Sequence, residues 1–271
     1  MKGLAEGARI DMETALFLQS MEWSICTSLG FNPQRTATRE TIVAKNFDYR
    51  NELAPYHLTC LTKPAEGYQT LGCTMAPLPG MLDGMNEHGL TVTYNLAQTT
   101  DRPECFVPLS LVLREMLETC KSTNEAVKFI TRSKRAARAL LMIADAEGDI
   151  RTVEILSNYA ATRKMVDNQI INTNHYHTPE MQKHERPVTE SSVERLKRAQ
   201  ELLRDEGKID ESRIVTILRD HGKDNKPSSF TICRHATPTS TLRSVIFYPD
   251  RRTIKVLYGK PCQNEYSEFV F

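Results

Sequence analysis

Cysteine is present in this chain without any of its usual patterns. The seven cysteines, at 26, 60, 73, 105, 120, 233 and 262, are odd in number, scattered, and form no CxxC pair. That argues against a disulfide framework and against a zinc motif, so no metal is expected. A reducing cytoplasm is then the simplest compartment. An excess of one charge is lacking too: 35 Lys+Arg stand against 34 Asp+Glu, a net charge of +1. No field gathers nucleic acid or an anionic membrane. No run approaches the roughly 18 apolar residues of a membrane span, and the opening lacks the charged start and apolar core of a secretory signal. Internal repeats, low-complexity tracts and Pro/Gly/Ser-rich linkers are absent as well. The most polar stretch, residues 177–190, reads as a surface loop rather than a domain boundary. What remains is an ordinary globular balance, 40% hydrophobic and 25% charged over 271 residues, enough to bury a sizeable core without staples.

The elements follow from periodicity. Residues 1–22 read as two helical pieces, with Asp11 as N-cap of the second. Residues 24–31 are strand-like, "NPQRTATRE" turns, and "TIVAKNFDY" returns as a second strand. "GMLDGMNEHGLTVTYNLAQ" is a hairpin with Asp83, Asn86 and Gly89 as turn chemistry. Its second strand puts Leu90, Val92, Tyr94 and Leu96 on one face. Thr91, Thr93 and Asn95 form the other, a polar face suited to a site or to solvent. Residues 107–133 are two helices, the second opening at capping-box spacing with Ser122 and Glu125. A hairpin around "AEGD" and a strand in "MVDNQIINTNHY" follow. A helix then opens with Ser191 and Glu194, again at capping-box spacing, and "ESRIVTILRDH" is another. The chain closes with three strands, "SFTICRH", "LRSVIFYP" and "TIKVLYGK". Strands and helices come in groups, which predicts an α+β layered fold rather than an alternating parallel sheet.

Cys26, in "WSICTSLG", is the residue that asks for an explanation. Its bland reading is a buried, inert strand cysteine. A nucleophilic reading needs a base, and no histidine lies near it in sequence. His175 falls within the roughly 130–150 residues downstream that a papain-like enzyme uses, but "WSICTS" does not carry that family's signature. The base is supplied without a histidine if the chain is cut just before Cys26. The freed α-amine has a pKa of about 7.7–8.0 and sits on the same residue as the thiol. The first hairpin then matters: pairing 26 with 48, 29 with 45 and 31 with 43 puts Asp48 beside Cys26 and Lys45 on the same sheet edge. The "HYH" at 175–177 offers two imidazoles on one strand face, but no third ligand stands at suitable spacing. Asp48 as a strand-end turn residue, Asn95 as a solvated strand residue and Arg195 as part of a basic helix face are the bland alternatives.

"CTSLG…KNFDY", "DGMNEHGLTVTYNL" and "INTNHY", with "SFTICRHATP…LRSVIFYPDRRTIKVLYGKPCQNEY" at the end, resemble the motif series of N-terminal-nucleophile (Ntn) hydrolases. The match is nearest to the isopenicillin-N acyltransferase-like family, the acyl-CoA:6-aminopenicillanic acid acyltransferases, and more distant to the choloylglycine hydrolases. It covers nearly the whole chain in order. The resemblance implies a four-layer αββα sandwich, self-cleavage before the cysteine, and amide hydrolysis or acyl transfer through a thioester, with no cofactor. Residues 1–25 would be a pro-segment, released or retained as a small subunit, and 26–271 the catalytic domain. The pro-segment is short for the family, so the sequence is expected to begin inside it.

Residue by residue, the resemblance makes Cys26 the nucleophile and Asp48 the carboxylate near its amine. Asn95 and Asn174 become the asparagines that assist the oxyanion and orient the amine, and Arg195 matches the arginine of the bile-salt enzymes. Lys45 stands where relatives often carry arginine, and is assigned to substrate binding without arginine's fork. The expected partner is a small-molecule amide or acyl donor, with neither nucleic acid nor membrane involved. A homo-oligomer stays open. Loops 52–60 and 98–106 are expected to line the pocket. The rival is an uncleaved, non-catalytic relative that binds small molecules.

Overall fold

A computed structural model describes residues 1–18, 24–101, 107–205 and 207–271. The chain opens with helices α1 (Lys2–Ala8) and α2 (Met12–Leu18). Asp11 caps α2 as expected, its carboxylate accepting from the Thr14 N–H at 2.7 Å and hydroxyl at 2.8 Å. The end of that expected helix, 19–22, and Cys105 lie outside the described residues. Strands β1 (Ile25–Phe31) and β2 (Ile42–Arg50) follow, then a short 3-10 helix (Asn51–Tyr56) and strands β3 (His57–Thr62), β4 (Thr70–Met75), β5 (Asp83–Asn86) and β6 (Thr91–Leu96). The middle of the chain is β7 (Val107–Pro108), α3 (Leu109–Thr119), α4 (Thr123–Arg132), β8 (Arg135–Ala136), β9 (Ala139–Ala144), β10 (Ile150–Ile155), β11 (Ala160–Lys164) and β12 (Gln169–Asn172). The last part is α5 (Pro179–Gln182), α6 (Glu190–Leu202), α7 (Glu211–Leu218), β13 (Thr239–Tyr248), β14 (Thr253–Tyr258) and β15 (Ser267–Val270).

Two antiparallel sheets form the centre, ordered β12-β1-β2-β13-β14-β15 and β11-β10-β9-β6-β5-β4-β3. Leu29, Phe31, Ala44 and Ile246 on the outer face of the first sheet pack on Ala199 of α6 and Ile214 and Ile217 of α7. Val92, Leu141 and Ile143 on the outer face of the second pack on Leu113 and Met116 of α3 and Ile130 of α4. Val43, Met85, Met142, Val245 and Phe247 fill the space between the sheets. The result is the four-layer αββα sandwich. Gly30 lets the sheets close: a Cβ there would lie 2.8 Å from Met142 Sδ and 2.9 Å from Ile170 Cγ2. No helix among the described residues is long and apolar enough to cross a membrane.

Several local expectations change. The β1–β2 register is one residue from the expected pairing: Asp48 lies opposite Ile25, and Cys26 opposite Phe47. Both strands are buried on both faces, so no polar alternation pins their phase. Thr91, Thr93 and Asn95 face the other sheet instead of solvent and are fully buried. Asp83 is a strand residue rather than a turn residue. Asn86 and Gly89 do make the turn: Asn86 Oδ1 accepts from the His88 and Leu90 N–H groups, and Gly89 has φ +85°. Ser122 caps α4, accepting from Glu125 N–H. Ser191, in contrast, lies inside α6, whose N-cap is Thr189, and its hydroxyl donates to Ser229 O. "SFTICRH" is not a strand. Its backbone is satisfied by turns instead, with Cys233 N–H on Asp220 O and His235 N–H on Ser228 O.

Candidate active site

The site forms where β1 begins and β2 and β6 end. Cys26 is the second residue of β1 and is fully buried. Its backbone N–H donates to Asn174 Oδ1 at 2.9 Å. Asn174 lies just beyond β12 and is held from three sides. Its Nδ2 donates to Leu96 O at 2.8 Å and to Ser24 O at 3.3 Å, and its N–H donates to the Ser192 hydroxyl on α6 at 2.8 Å. One turn further along α6, fully buried Arg195 donates to Asn174 Oδ1 at 2.8 Å, to Thr27 Oγ1 at 2.8 Å and to the Cys26 carbonyl. The basic run of α6 is thus divided. Lys197 is exposed on an ion pair with Glu194, while Arg195 points into the protein.

Asp48 faces away from the Cys26 thiol, on the α6 side of the sheet. Thr241, its cross-strand neighbour on β13, donates its hydroxyl to Asp48 Oδ1 at 2.7 Å. Oδ2 is buried without a hydrogen-bond partner among the described residues. Burial pushes the carboxyl up to about 6, and the charges of Arg195 and Arg234 and the Thr241 hydrogen bond only partly oppose it. The same burial pushes Arg195 down to about 10, against the pull of Asp48.

Asn95 and Lys45 lie in a different layer, between the sheets and on the thiol's face of β1–β2. Asn95 Oδ1 accepts from the Ser28 hydroxyl at 2.5 Å, and its Nδ2 donates to Thr173 O at 3.0 Å. It therefore anchors the segment leading into Asn174. Lys45 pairs with Asp83 Oδ1 at 2.6 Å and donates to Tyr94 O. Arg243 pairs with the other oxygen of Asp83. All three are fully buried. Lys45 Nζ and the Arg243 guanidinium lie 5.1 and 4.7 Å from the ring centre of Phe47, the residue opposite Cys26. Two cations against one carboxylate leave an excess of positive charge on the thiol's side. Burial pushes the Cys26 thiol up, and Lys45 opposes it.

A cavity of roughly 610 Å³ opens beside these groups, lined by Ser24, Ile25, Asp48, Leu96, Asn174 and Arg234 among others. That is a small-molecule volume. Of the two expected pocket loops, the described part of 98–106 supplies Gln98, and 52–60 supplies none of the described lining. Lys45 does not line it either. His175 and His177 stack at 4.8 Å, and His175 Nδ1 contacts the Ser192 hydroxyl at 2.8 Å instead of forming a ligand pair. Sequence reading missed Arg234, Thr241 and the Asp83–Arg243 pair. Thr241 joins Asp48 only through a pairing of strands far apart in the chain, and Arg234 sits in the segment expected to be a strand.

The Asp48 environment gives a signed expectation. With the folded pKa near 6 and the ordinary value at 3.8, both states hold the proton below about pH 4. Above that the unfolded chain ionises first, so stability falls as pH rises through 4 to 6, by on the order of 3 kcal/mol. In a Cys26→Ala chain, Asp48→Asn should match the parent near pH 4 and be more stable at pH 8. Denaturant unfolding at the two pH values checks this, and equal stability at pH 8 overturns it.

The comparisons with known proteins agree with this architecture. The chain superposes on an N-acylethanolamine-hydrolyzing acid amidase ortholog from Caenorhabditis elegans with a TM-score of 0.58 at 17% identity, covering 83% of this chain and 93% of that one. A variant of the conjugated bile acid hydrolase from Clostridium perfringens gives 0.55 at 13% identity, covering 91% and 97%. Penicillin V acylase from Agrobacterium tumefaciens gives 0.56 at 14% identity, covering 86% and 83%. At these identities the likeness establishes the Ntn-hydrolase fold. No curated protein matches in sequence. Residues 35–263, beginning after Cys26, match the model of the acyl-coenzyme A:6-aminopenicillanic acid acyl-transferases. With that match over most of its length and the αββα sandwich beneath it, the chain belongs to the acyl-coenzyme A:6-aminopenicillanic acid acyl-transferase family of Ntn hydrolases, which act on amide bonds.

Proposed function

We propose that this protein is a self-processing cysteine amidohydrolase or acyltransferase, acting on a non-peptide or small-peptide amide C–N bond through a Cys26 thioester. The observation that carries the reading is the hold on the Cys26 nitrogen. Asn174 Oδ1 accepts its N–H, and Asn174 is itself fixed by Arg195, Ser192 and the Leu96 carbonyl. Any buried N–H needs an acceptor; what supports the reading is that this acceptor is a side chain braced at both ends, by Arg195 on its oxygen and by Leu96 O and Ser24 O on its nitrogen. A nucleophile whose base is the Cys26 nitrogen requires such a hold.

Processing starts with attack of the thiol on the Ile25 carbonyl carbon. An S–C bond forms, the C–N bond to Cys26 breaks, and the thiol proton passes to the nitrogen. Water hydrolyses this thioester, freeing residues 1–25, the thiol and the α-amine. Ser24 and Ile25 line the cavity, so their departure extends it to the thiol. In turnover the amine takes the thiol proton and the thiolate attacks the substrate carbonyl. The oxyanion role is assigned to Asn174 Nδ2, which loses its Ser24 O partner on cleavage, and to Asn95, which anchors the segment leading into Asn174. The ammonium then protonates the leaving amine. Water or an acceptor amine resolves the acyl-enzyme. Asp48 Oδ2, buried and without a hydrogen-bond partner among the described residues, balances the ammonium, and the excess charge of Lys45 and Arg243 favours the thiolate.

Intact-mass measurement of the purified chain tests this. Two fragments split before Cys26, or a species lacking 1–25, are expected, with amine released from a panel of N-acyl amides only by the cut form. An intact chain that nonetheless hydrolyses amides overturns the processing step. Iodoacetamide should label Cys26 in the cut form and leave the uncut thiol unmodified.

A further inference from the structure

The fold assembles a second cluster of reactive side chains that the amide chemistry does not use. His221, Cys233, His235 and Cys262 each offer one ligand atom, and the four atoms lie within 4.8 Å of one another. Cys233 Sγ is 3.5 Å and Cys262 Sγ 3.2 Å from His235 Nε2. The rings of His221 and His235 meet edge to face at 4.9 Å. We propose that these four residues form a tetrahedral Cys2His2 site for Zn2+, with a structural role.

Three observations carry it. Zn2+ with bonds of about 2.3 Å to sulfur and 2.0–2.1 Å to nitrogen spaces its ligand atoms about 3.3–3.8 Å apart; Cys233 Sγ to His235 Nε2 at 3.5 Å falls inside that range, Cys262 Sγ at 3.2 Å just below it, and the cluster's 4.8 Å limit closes on binding. A neutral imidazole nitrogen has one lone pair and accepts one S–H, so without a metal one of the two thiols turns to the other cysteine instead; a shared cation bonds all three atoms. His221 Nε2, finally, is buried without a hydrogen-bond partner among the described residues. Two thiolates balance the 2+ charge, so the loaded site adds no net charge to a half-buried corner, and soft sulfur with imidazole selects zinc over harder cations. The absence of a CxxC pair says nothing against a site whose ligands come from the 221–235 turns and, in Cys262, from the loop after β14.

The position gives the metal a task. Cys233 and His235 flank Arg234, which lines the cavity and whose charge acts on Asp48. Its backbone pairs with Thr241, the residue that hydrogen-bonds Asp48. A metal on both neighbours pins Arg234 against the cavity and staples an irregular segment to the C-terminal loop.

The test uses the full chain, purified without a metal column, stripped with chelator under a thiol reductant and titrated with Zn2+ or Co2+. About one Zn2+ per chain is expected by elemental analysis, and Co2+ should show thiolate charge-transfer bands with tetrahedral visible bands. Cys262→Ser should weaken Zn2+ binding by more than the roughly 10- to 100-fold of a lost outer-shell partner, while Cys60→Ser leaves it unchanged. Because the wild-type cobalt spectrum needs no variant, a misfolded Cys262→Ser cannot rescue the idea. No Zn2+ bound under reducing conditions, binding indifferent to Cys262, or a Cys233–Cys262 disulfide in protein that takes up no metal each overturns it.

Discussion

Cys26→Ala is expected to leave the chain uncut and to abolish amide turnover, a loss on the order of 10⁴- to 10⁶-fold. The thiol is asked to do two jobs, attack on its own upstream carbonyl and attack on substrate, and alanine does neither. Cys26→Ser keeps a nucleophile of similar size but a far less acidic one, so slow cleavage and weak turnover are expected there. The pair separates chemistry from packing. If Cys26 were a core residue, Cys26→Ala would cost a modest cavity term and leave the fragment pattern of wild type unaltered. Intact mass and amine release on the same samples decide between the two. Fragments split before position 26 in the alanine variant would falsify the proposed chemistry, and an unlabelled, uncut wild-type thiol would favour the non-catalytic binding protein.

The second large effect is on folding. Asp83→Ala should cost about 3–5 kcal/mol, a large part of the 5–15 kcal/mol typical of a domain. Among the described residues Asp83 is the one carboxylate paired with both Lys45 and Arg243, and all three are fully buried. Removing it strands two cations where water cannot reach. Lys45→Met is gentler. It leaves Asp83 on Arg243, an even pair, with Oδ1 still held by the Tyr94 N–H, and forfeits the Lys45 hydrogen bonds to Asp83 Oδ1 and Tyr94 O, so about 1–3 kcal/mol is expected. It also removes the cation that opposes the upward push on the Cys26 thiol, so labelling of the cut form should slow. Denaturant midpoints with an alkylation time course measure both. An Asp83→Ala chain as stable as wild type is incompatible with a buried ion network.

What the sequence determined by itself is local. Asp11 caps α2 and Ser122 caps α4 because a cap needs only residues three positions apart. Most strands and helices followed from the period of their apolar residues, and the layered class followed from their grouping. The motif series pointed to Cys26, Asp48, Asn95, Asn174 and Arg195, and the fold brings Cys26, Asn174 and Arg195 into direct hydrogen bonding. Tertiary structure decided the rest. Strands buried on both faces carry no alternation, so the one-residue register, and with it the face of Asp48, is not written in their own pattern and is set by the packing of the assembled sheets. A polar strand face proved to be an inter-sheet layer because a second sheet, invisible in one strand's pattern, covers it. "SFTICRH" has strand composition but finds no partner strand among the described residues; instead its Arg234 lines the cavity, and its Cys233 and His235 meet Cys262 and His221. Such meetings join positions far apart in the chain, and no spacing rule in a single sequence records them.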